Sequence, residues 1–184
     1  MKKITLKEMA DACMGSLICS DEDTVVTGGV VDSRQLEKGN LFFAIAGEKV
    51  DGHKFAAQVI ENGAAAAVIE HDTDDAKNNI IKVDSTLAAL MSSAACYRNG
   101  FDIPVIGITG SVGKTSTKEM IASVLNEKMK VLKTEGNFNN EIGMPLTLFK
   151  VREEHEAAVV EMGINHFGEM DRMGKAAHPD MFVI

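Results

Sequence analysis

No stretch of this chain comes near the roughly 18 consecutive apolar residues that a membrane-spanning helix requires. The basic opening of "MKKITLKEMADACMG" is not followed by the apolar run of about 7 to 15 residues that would make it a secretory signal. The chain is therefore expected to insert into no membrane. Lys and Arg are scattered, and the formal net charge is −8 with a pI near 5.1, which argues against the clustered basic surface that grips a nucleic-acid backbone. Cysteine is scarce. Cys13, Cys19 and Cys96 are odd in number and too widely spaced for a zinc knuckle. They suit a reducing, cytoplasmic setting and are expected to be ordinary buried thiols. No internal repeat or low-complexity tract is present.

What is there suits a folded α/β protein. The chain has 184 residues, 45% of them apolar, which suffices for one medium domain or two small ones. Its 11 methionines fall mostly at helical core positions and read as packing. Thr5 and Glu8 are spaced as a capping box for a short helix with Leu6, Met9, Ala10 and Cys13 on one face. After a strand at "GGVV", the pattern predicts a strand over Leu41–Ala46, a helix burying Phe55, Ala56, Val59 and Ile60 and stopped by Gly63, and a strand over Ala65–Glu70. A polar loop "HDTDDAKNN", a strand over Ile80–Val83 and a helix opened by Ser85 follow.

"NGFDIP", Asn99 to Pro104, breaks the pattern and marks the expected boundary between a unit at 1–100 and one at 101–184. In the second unit we expect a strand over Val105–Thr109, a glycine loop, a helix over Lys114–Lys128 and a strand over Val131–Thr134. Beyond "EGNFNNEIGMP", Pro145 can seed a helix, "AAVVEMG" is a buried strand, "HFGEMDRMGKAA" a helix and "MFVI" a strand. Strands alternating with helices predict a parallel sheet with ligands at its carboxyl edge. Because the sequence stops at Ile184 inside an apolar run, it reads as the front part of a longer protein.

The stretch "VIGITGSVGKTSTKEM" carries the chemistry. The strict phosphate-loop pattern G-x-x-x-x-G-K-[ST] asks for glycine where the chain has Ile108. The half that touches phosphate is nevertheless intact. Gly110 and Gly113 permit a tight wrap around Ser111 and Val112, Lys114 supplies a charge for outer phosphates, Thr115 supplies a hydroxyl for Mg²⁺, and a helix N-terminus begins at Lys114. Ile108 is expected to finish the strand. The alternative is a glycine turn that merely closes a parallel sheet. A G-x-G-x-x-G fingerprint is absent, which favours a purine triphosphate over NAD.

Such a loop needs an acidic partner at the end of a neighbouring strand. "AAVVEMG" delivers Glu161 there, with Gly163 to turn the chain away; the alternative is that Glu161 caps the following helix. His166 is a weaker candidate for the same site. The guanine signature N-K-x-D is absent, and the D-x-x-G at Asp171–Gly174 falls in a helical pattern, so a GTP switch is disfavoured. A small-molecule kinase and a non-catalytic nucleotide-binding module stay open, because loop and carboxylate alone do not say who receives the phosphate.

These residues resemble the Mur ligase family, whose loop T-G-x-x-G-K-[ST]-[ST] is matched by Thr109, Gly110, Gly113, Lys114, Thr115 and Ser116. "TEGNFNNEIGMPLTLF" and "VVEMGINHFGEM" are similar to the members that add D-alanyl-D-alanine to UDP-N-acetylmuramoyl-tripeptide. "DSRQLEKGNLFFAIAGEKVDGHKF" is similar to the segment that holds the UDP end of the substrate. The resemblance implies a small N-terminal α/β domain at 1–100 for the UDP-muramoyl substrate and, at 101–184, the truncated first part of a P-loop parallel-sheet ATPase domain. It implies ATP and Mg²⁺, an acyl phosphate opened by the D-alanyl-D-alanine amine, and a cytoplasmic role in peptidoglycan synthesis, and hence in cell wall biogenesis, cell shape and division. The part in hand is then inactive alone, and a monomer is expected.

By that resemblance Lys114 and Glu161 are catalytic, and Gly110 to Ser116 hold the nucleotide. Thr115 and Glu161 hold the metal. Ser33 and Arg34 are candidates for the uridine diphosphate, since a hydroxyl and a forked cation suit its oxygens, with a surface salt bridge at Arg34 as the alternative. Asn137, Asn139 and Asn140 are candidates for substrate contact, although asparagines also favour turns. Asp51, Gly52 and His53 read as a loop-to-helix cap.

Overall fold

The computed structural model describes residues 4–47, 50–73, 76 and 78–184. Lys2 and Lys3 of the basic opening, Glu48 and Lys49, and Asp74, Asp75 and Lys77 of the expected polar loop lie outside the described residues. The chain divides into two compact units, the first ending at Tyr97 and the second running from Arg98 to Ile184. Among the described residues, no helix is long and apolar enough to cross a membrane.

The first unit opens with α1 (Leu6–Ala12), capped as the sequence predicts: the Glu8 N–H donates to Thr5 Oγ1 at 3.3 Å and the Thr5 N–H to the Glu8 carboxylate at 3.0 Å. Strands β1 (Ser16–Ile18), β2 (Gly28–Val30), β3 (Asn40–Phe43), β4 (Ala66–Ile69) and β5 (Ile80–Lys82) form one sheet in the order β1-β5-β4-β3-β2. All pairings are parallel except that of β1 with β5. Edge strand β1 escapes the sequence reading because three residues of alternating exposure are too short to carry a period.

Every residue of β3 and β4 is buried, the pattern of strands covered on both faces. Phe42, Ala67, Ile69 and Ile80 share one cluster with Ala56 and Val59 of α2 (Ala56–Glu61), while Leu41, Phe43 and Val68 point the other way and are as fully buried. Phe55 and Ile60, expected inward, are only partly buried against that cluster. β3 ends at Phe43, short of the expected Ala46, because the Ile45 N–H turns back to the Phe43 carbonyl at 2.9 Å. The Ser85 hydroxyl accepts the Ala88 N–H at 3.3 Å and so opens α3 (Thr86–Asn99), as expected.

The thiols and thioethers depart from expectation. Cys13 is buried, but Cys19, just past the edge strand, and Cys96 are only half-buried. Met9, Met144, Met162 and Met173 are core residues, whereas Met14, Met120 and Met181 are exposed.

The second unit is a four-stranded, wholly parallel sheet in the order β7-β8-β6-β9, built from β6 (Val105–Ile108), β7 (Val131–Lys133), β8 (Ala157–Glu161) and β9 (Met181–Val183). Central β8 is buried at all five positions. One face packs against α4 (Lys114–Asn126) through Ile106, Ile108, Val159 and Ala122. Two further helices, α5 (Gly143–Leu148) and α6 (Glu169–Ala177), complete the unit. α5 begins two residues before Pro145, at a glycine whose added Cβ would lie 2.4 Å from Phe138 Cα. α6 begins later than the expected His166 because Gly168 has φ of +86°, outside helical space.

Arg98 ties the lower edge of this unit together. Its buried guanidinium donates to the carbonyls of Ala177, Phe101 and Ile103 at 3.2, 3.3 and 3.1 Å. Removing it leaves several carbonyls without that donor, so Arg98→Met is expected to destabilise the second unit by about 2–3 kcal/mol. Urea unfolding followed by circular dichroism checks this; an unchanged midpoint would refute it.

Candidate functional site

The register of the parallel sheet builds the candidate site. Ile108, the last residue of β6, pairs with Glu161, the last residue of β8, and with Val183 on the other side. The position where the strict pattern demands glycine is thus sheet interior, with Ile108 only 1% exposed. The loop begins one residue later: the Thr109 N–H still donates to Val183 O at 3.0 Å, and Gly110 then turns at φ +129° and Gly113 at φ +80°. These two are the positions where the wrap needs glycine.

Gly113 is the N-cap of α4, so the first N–H groups of that helix open toward the loop. Ser111, Val112, Gly113, Thr115 and Ser116 are exposed. The Lys114 ammonium folds back over the loop and donates to Gly110 O at 2.7 Å. A cationic donor therefore lies over the place where backbone N–H groups converge, an arrangement that receives anions.

Glu161 is 1% exposed, and a buried carboxylate needs partners. It has several. Thr115 Oγ1 donates to it at 3.1 and 3.3 Å, Asn139 Nδ2 at 2.8 Å, and Lys118 Nζ lies 3.7 Å away. Its own N–H donates to the buried Thr134 hydroxyl at 2.9 Å. A hydroxyl and a carboxylate held together are hard oxygen donors, the set that suits Mg²⁺, so Thr115 and Glu161 fit such an ion. Glu161 does not take the alternative role of helix cap: α6 starts behind Gly168 without a side-chain cap, and the Glu169 carboxylate accepts the N–H groups of the preceding loop residues Asn165 and His166 at 2.6 and 3.1 Å.

The three asparagines part ways. Asn139 is clamped beside Glu161, since its carbonyl accepts the Gly163 N–H at 2.7 Å and a Cβ on Gly163 would lie 3.2 Å from its side chain. Gly163 therefore makes room for Asn139 as well as ending the strand. Asn140 Oδ1 accepts the N–H groups of Ile142 and Gly143 at 3.2 and 2.8 Å and starts α5. Asn137 and His166 are exposed. Sequence reasoning missed Lys118 and Thr134; a lysine amid the apolar stripe of a helix was the available signal for the first.

In the first unit, Ser33 and Arg34 sit in a single 3-10 turn, Ser33–Gln35, capped by Asp32. They line an open cavity of about 560 Å³ with Ile45, Gly52 and Phe55, within the range of small-molecule sites. Arg34 is 87% exposed and forks onto Asp32 at 2.6 and 2.9 Å. The Arg34 side-chain hydrogen bond, foremost, holds the Asp32 carboxyl down to about 2.

Asp51 caps the turn at Gly52–Phe55 by accepting the His53 N–H at 3.0 Å. Buried His53 lies 2.7 Å from Asp51 through Nδ1 and accepts the Glu70 N–H at Nε2 at 2.9 Å. Asp51, His53 and His71 gather within 4.8 Å, and both His53 nitrogens are already engaged by Asp51 and the Glu70 N–H, so His53 pins the turn to the neighbouring strand.

Residues 25–98 match the Mur ligase family, catalytic domain, and residues 108–184 match the Mur ligase middle domain. The chain belongs to the Mur ligase family. It is 43% identical over its whole length to a UDP-N-acetylmuramoyl-tripeptide--D-alanyl-D-alanine ligase of Bacillus subtilis and 38% identical over 92% of its length to that of Escherichia coli. It covers 41% and 37% of those relatives. Among solved structures, MurF from Acinetobacter baumannii superposes with a TM-score of 0.85 at 37% identity, covering 99% of this chain and 40% of that one. MurF ligase from Thermotoga maritima in complex with ADP gives 0.74 at 35% identity, covering 83% of this chain and 36% of that one. The chain thus spans about two fifths of the length of the curated relatives it matches.

Removing the Asn139 amide withdraws a donor from a buried carboxylate, so Asn139→Ala is expected to lower the stability of the second unit by about 2 kcal/mol. Chemical denaturation measures it, and a shift below a few tenths of a kcal/mol would show that Glu161 does not depend on this contact.

Proposed function

We propose that this chain is the substrate- and nucleotide-binding part of an ATP-dependent ligase that joins D-alanyl-D-alanine to UDP-N-acetylmuramoyl-tripeptide in cytoplasmic peptidoglycan synthesis. The observation that carries the reading is the Thr115 hydroxyl seated on the buried Glu161 carboxylate beside the "TGSVGKTS" loop. The names of relatives at 43% and 38% identity supply the substrate class. An ADP complex of a neighbour at 35% identity supports the choice of nucleotide.

The chemistry to be performed is transfer of the γ-phosphoryl group to the tripeptide carboxylate, giving an acyl phosphate that the dipeptide amine opens. Two anions must approach one another, and positioning and charge neutralisation do most of the work. Mg²⁺, when bound, supplies the larger part of that charge, and Thr115 and Glu161 would hold it. Lys114 exchanges the Gly110 carbonyl for the outer phosphates. The N–H groups of Ser111 to Ser116 cradle the remaining oxygens. In the first unit, Ser33 and Arg34 hold the uridine diphosphate at the mouth of the 560 Å³ cavity. Asn139 orients Glu161 and so acts through it.

Calorimetric titration of the 184-residue chain with the UDP-linked tripeptide and, separately, with Mg-ATP tests this. Lys114→Ala is expected to weaken ATP, and Arg34→Ala the UDP compound, each by roughly 10- to 100-fold, the worth of one charge-assisted phosphate contact. If ATP alone binds, the UDP roles of Ser33 and Arg34 fall and a small-molecule kinase or a non-catalytic nucleotide-binding module becomes the better reading.

A further inference from the structure

The mechanism leaves the deeply buried Lys118 ammonium unused. α4 has two buried residues, Lys118 and Ala122, one helical turn apart on the face that meets the sheet. An apolar side chain is the ordinary occupant of such a position, and lysine is almost never fully buried unless paired. Lys118 is 1% exposed. Its ammonium lies 3.3 Å from Glu119 and 3.7 Å from Glu161. Glu119 is half-exposed and already has a second cation in Lys133. Glu161 has none: among the described residues Lys118 is the one cation paired with it, while Lys114 is turned to the Gly110 carbonyl.

We propose that Lys118 is the resident counter-ion of Glu161 and keeps the phosphate-free site closed to a bare divalent cation, so that the ion enters only together with a polyphosphate. The inference rests on the reading of Thr115 and Glu161 as oxygen donors to Mg²⁺. A doubly charged ion beside Glu161 lies within a few ångströms of the Lys118 ammonium, and like charges in a poorly solvated site repel strongly. The carboxylate it would neutralise is, moreover, already neutralised. A triphosphate brings several negative charges to the same place and offsets the repulsion. Lys118 is thus a positioning and gating residue, one step removed from the phosphates.

Thermal melting of the 184-residue chain in EDTA and in millimolar MgCl₂, without nucleotide, tests this. Wild type and Lys118→Arg, which keeps the charge, are expected to melt at the same temperature in both. Lys118→Met leaves Glu161 buried without its cation, so it should melt lower in EDTA and gain at least about 3 °C from MgCl₂ alone. Adding Glu161→Gln to Lys118→Met should restore the melting temperature and abolish the MgCl₂ effect. A merely space-filling lysine would produce neither result.

If wild type gains as much from MgCl₂ as Lys118→Met, or if the double variant melts no higher than Lys118→Met, the proposal is overturned. Should Lys118→Met not fold, the double variant decides, because the proposal requires it to fold. A separate arm guards the underlying reading: Mg²⁺-dependent ATP binding by Glu161→Gln that equals wild type would remove Glu161 from the metal site, whatever Lys118 does.

Discussion

The second unit depends on one alignment, the parallel pairing that sets Ile108 opposite Glu161. Because both strands end at the same level, the loop that follows one and the carboxylate that terminates the other arrive side by side without long connections. The Thr115–Glu161 hydrogen bond then fastens the first turn of α4 to the sheet. A slip of one residue in that pairing would send Glu161 to the opposite face of β8, and the hydroxyl and carboxylate would no longer meet. The burial of all five β8 residues fixes the register, since either face accepts only the side chains it has.

Around this junction the polar groups form a closed set. Glu161 takes hydrogen bonds from Thr115 and Asn139 and faces Lys118, and its N–H is met by Thr134. A buried network satisfied in this way is rigid, whereas a partly satisfied one would be a weak point. Above this fixed base the tip of the loop, Ser111 to Gly113, stands exposed to solvent.

Much of this was legible in the sequence. The capping box at Thr5 and Glu8, the helix opened by Ser85, the strand ending at Ile108 and the acidic residue closing β8 all follow from local pattern, and the structure bears them out. Features that need partners distant in sequence were not. β1 exists because β5 offers it an antiparallel edge, and its three residues carry no period of their own. Asn139 and Asn140 look alike in sequence, yet one serves a carboxylate from another strand and the other starts its own helix. Lys118 belongs to the same class: its position is readable as core-facing, but its partner Glu161 is supplied by the sheet. The half-buried Cys19 likewise reflects the neighbouring edge strand and not its residue type.

Arg34 is held on Asp32 by a two-pronged contact. Any anion that takes this guanidinium must evict a carboxylate already seated there, so the transaction is an exchange and not a simple capture. An exposed ion pair of this kind is held by little net free energy, so the exchange is open to any anion that offers Arg34 a comparable fork.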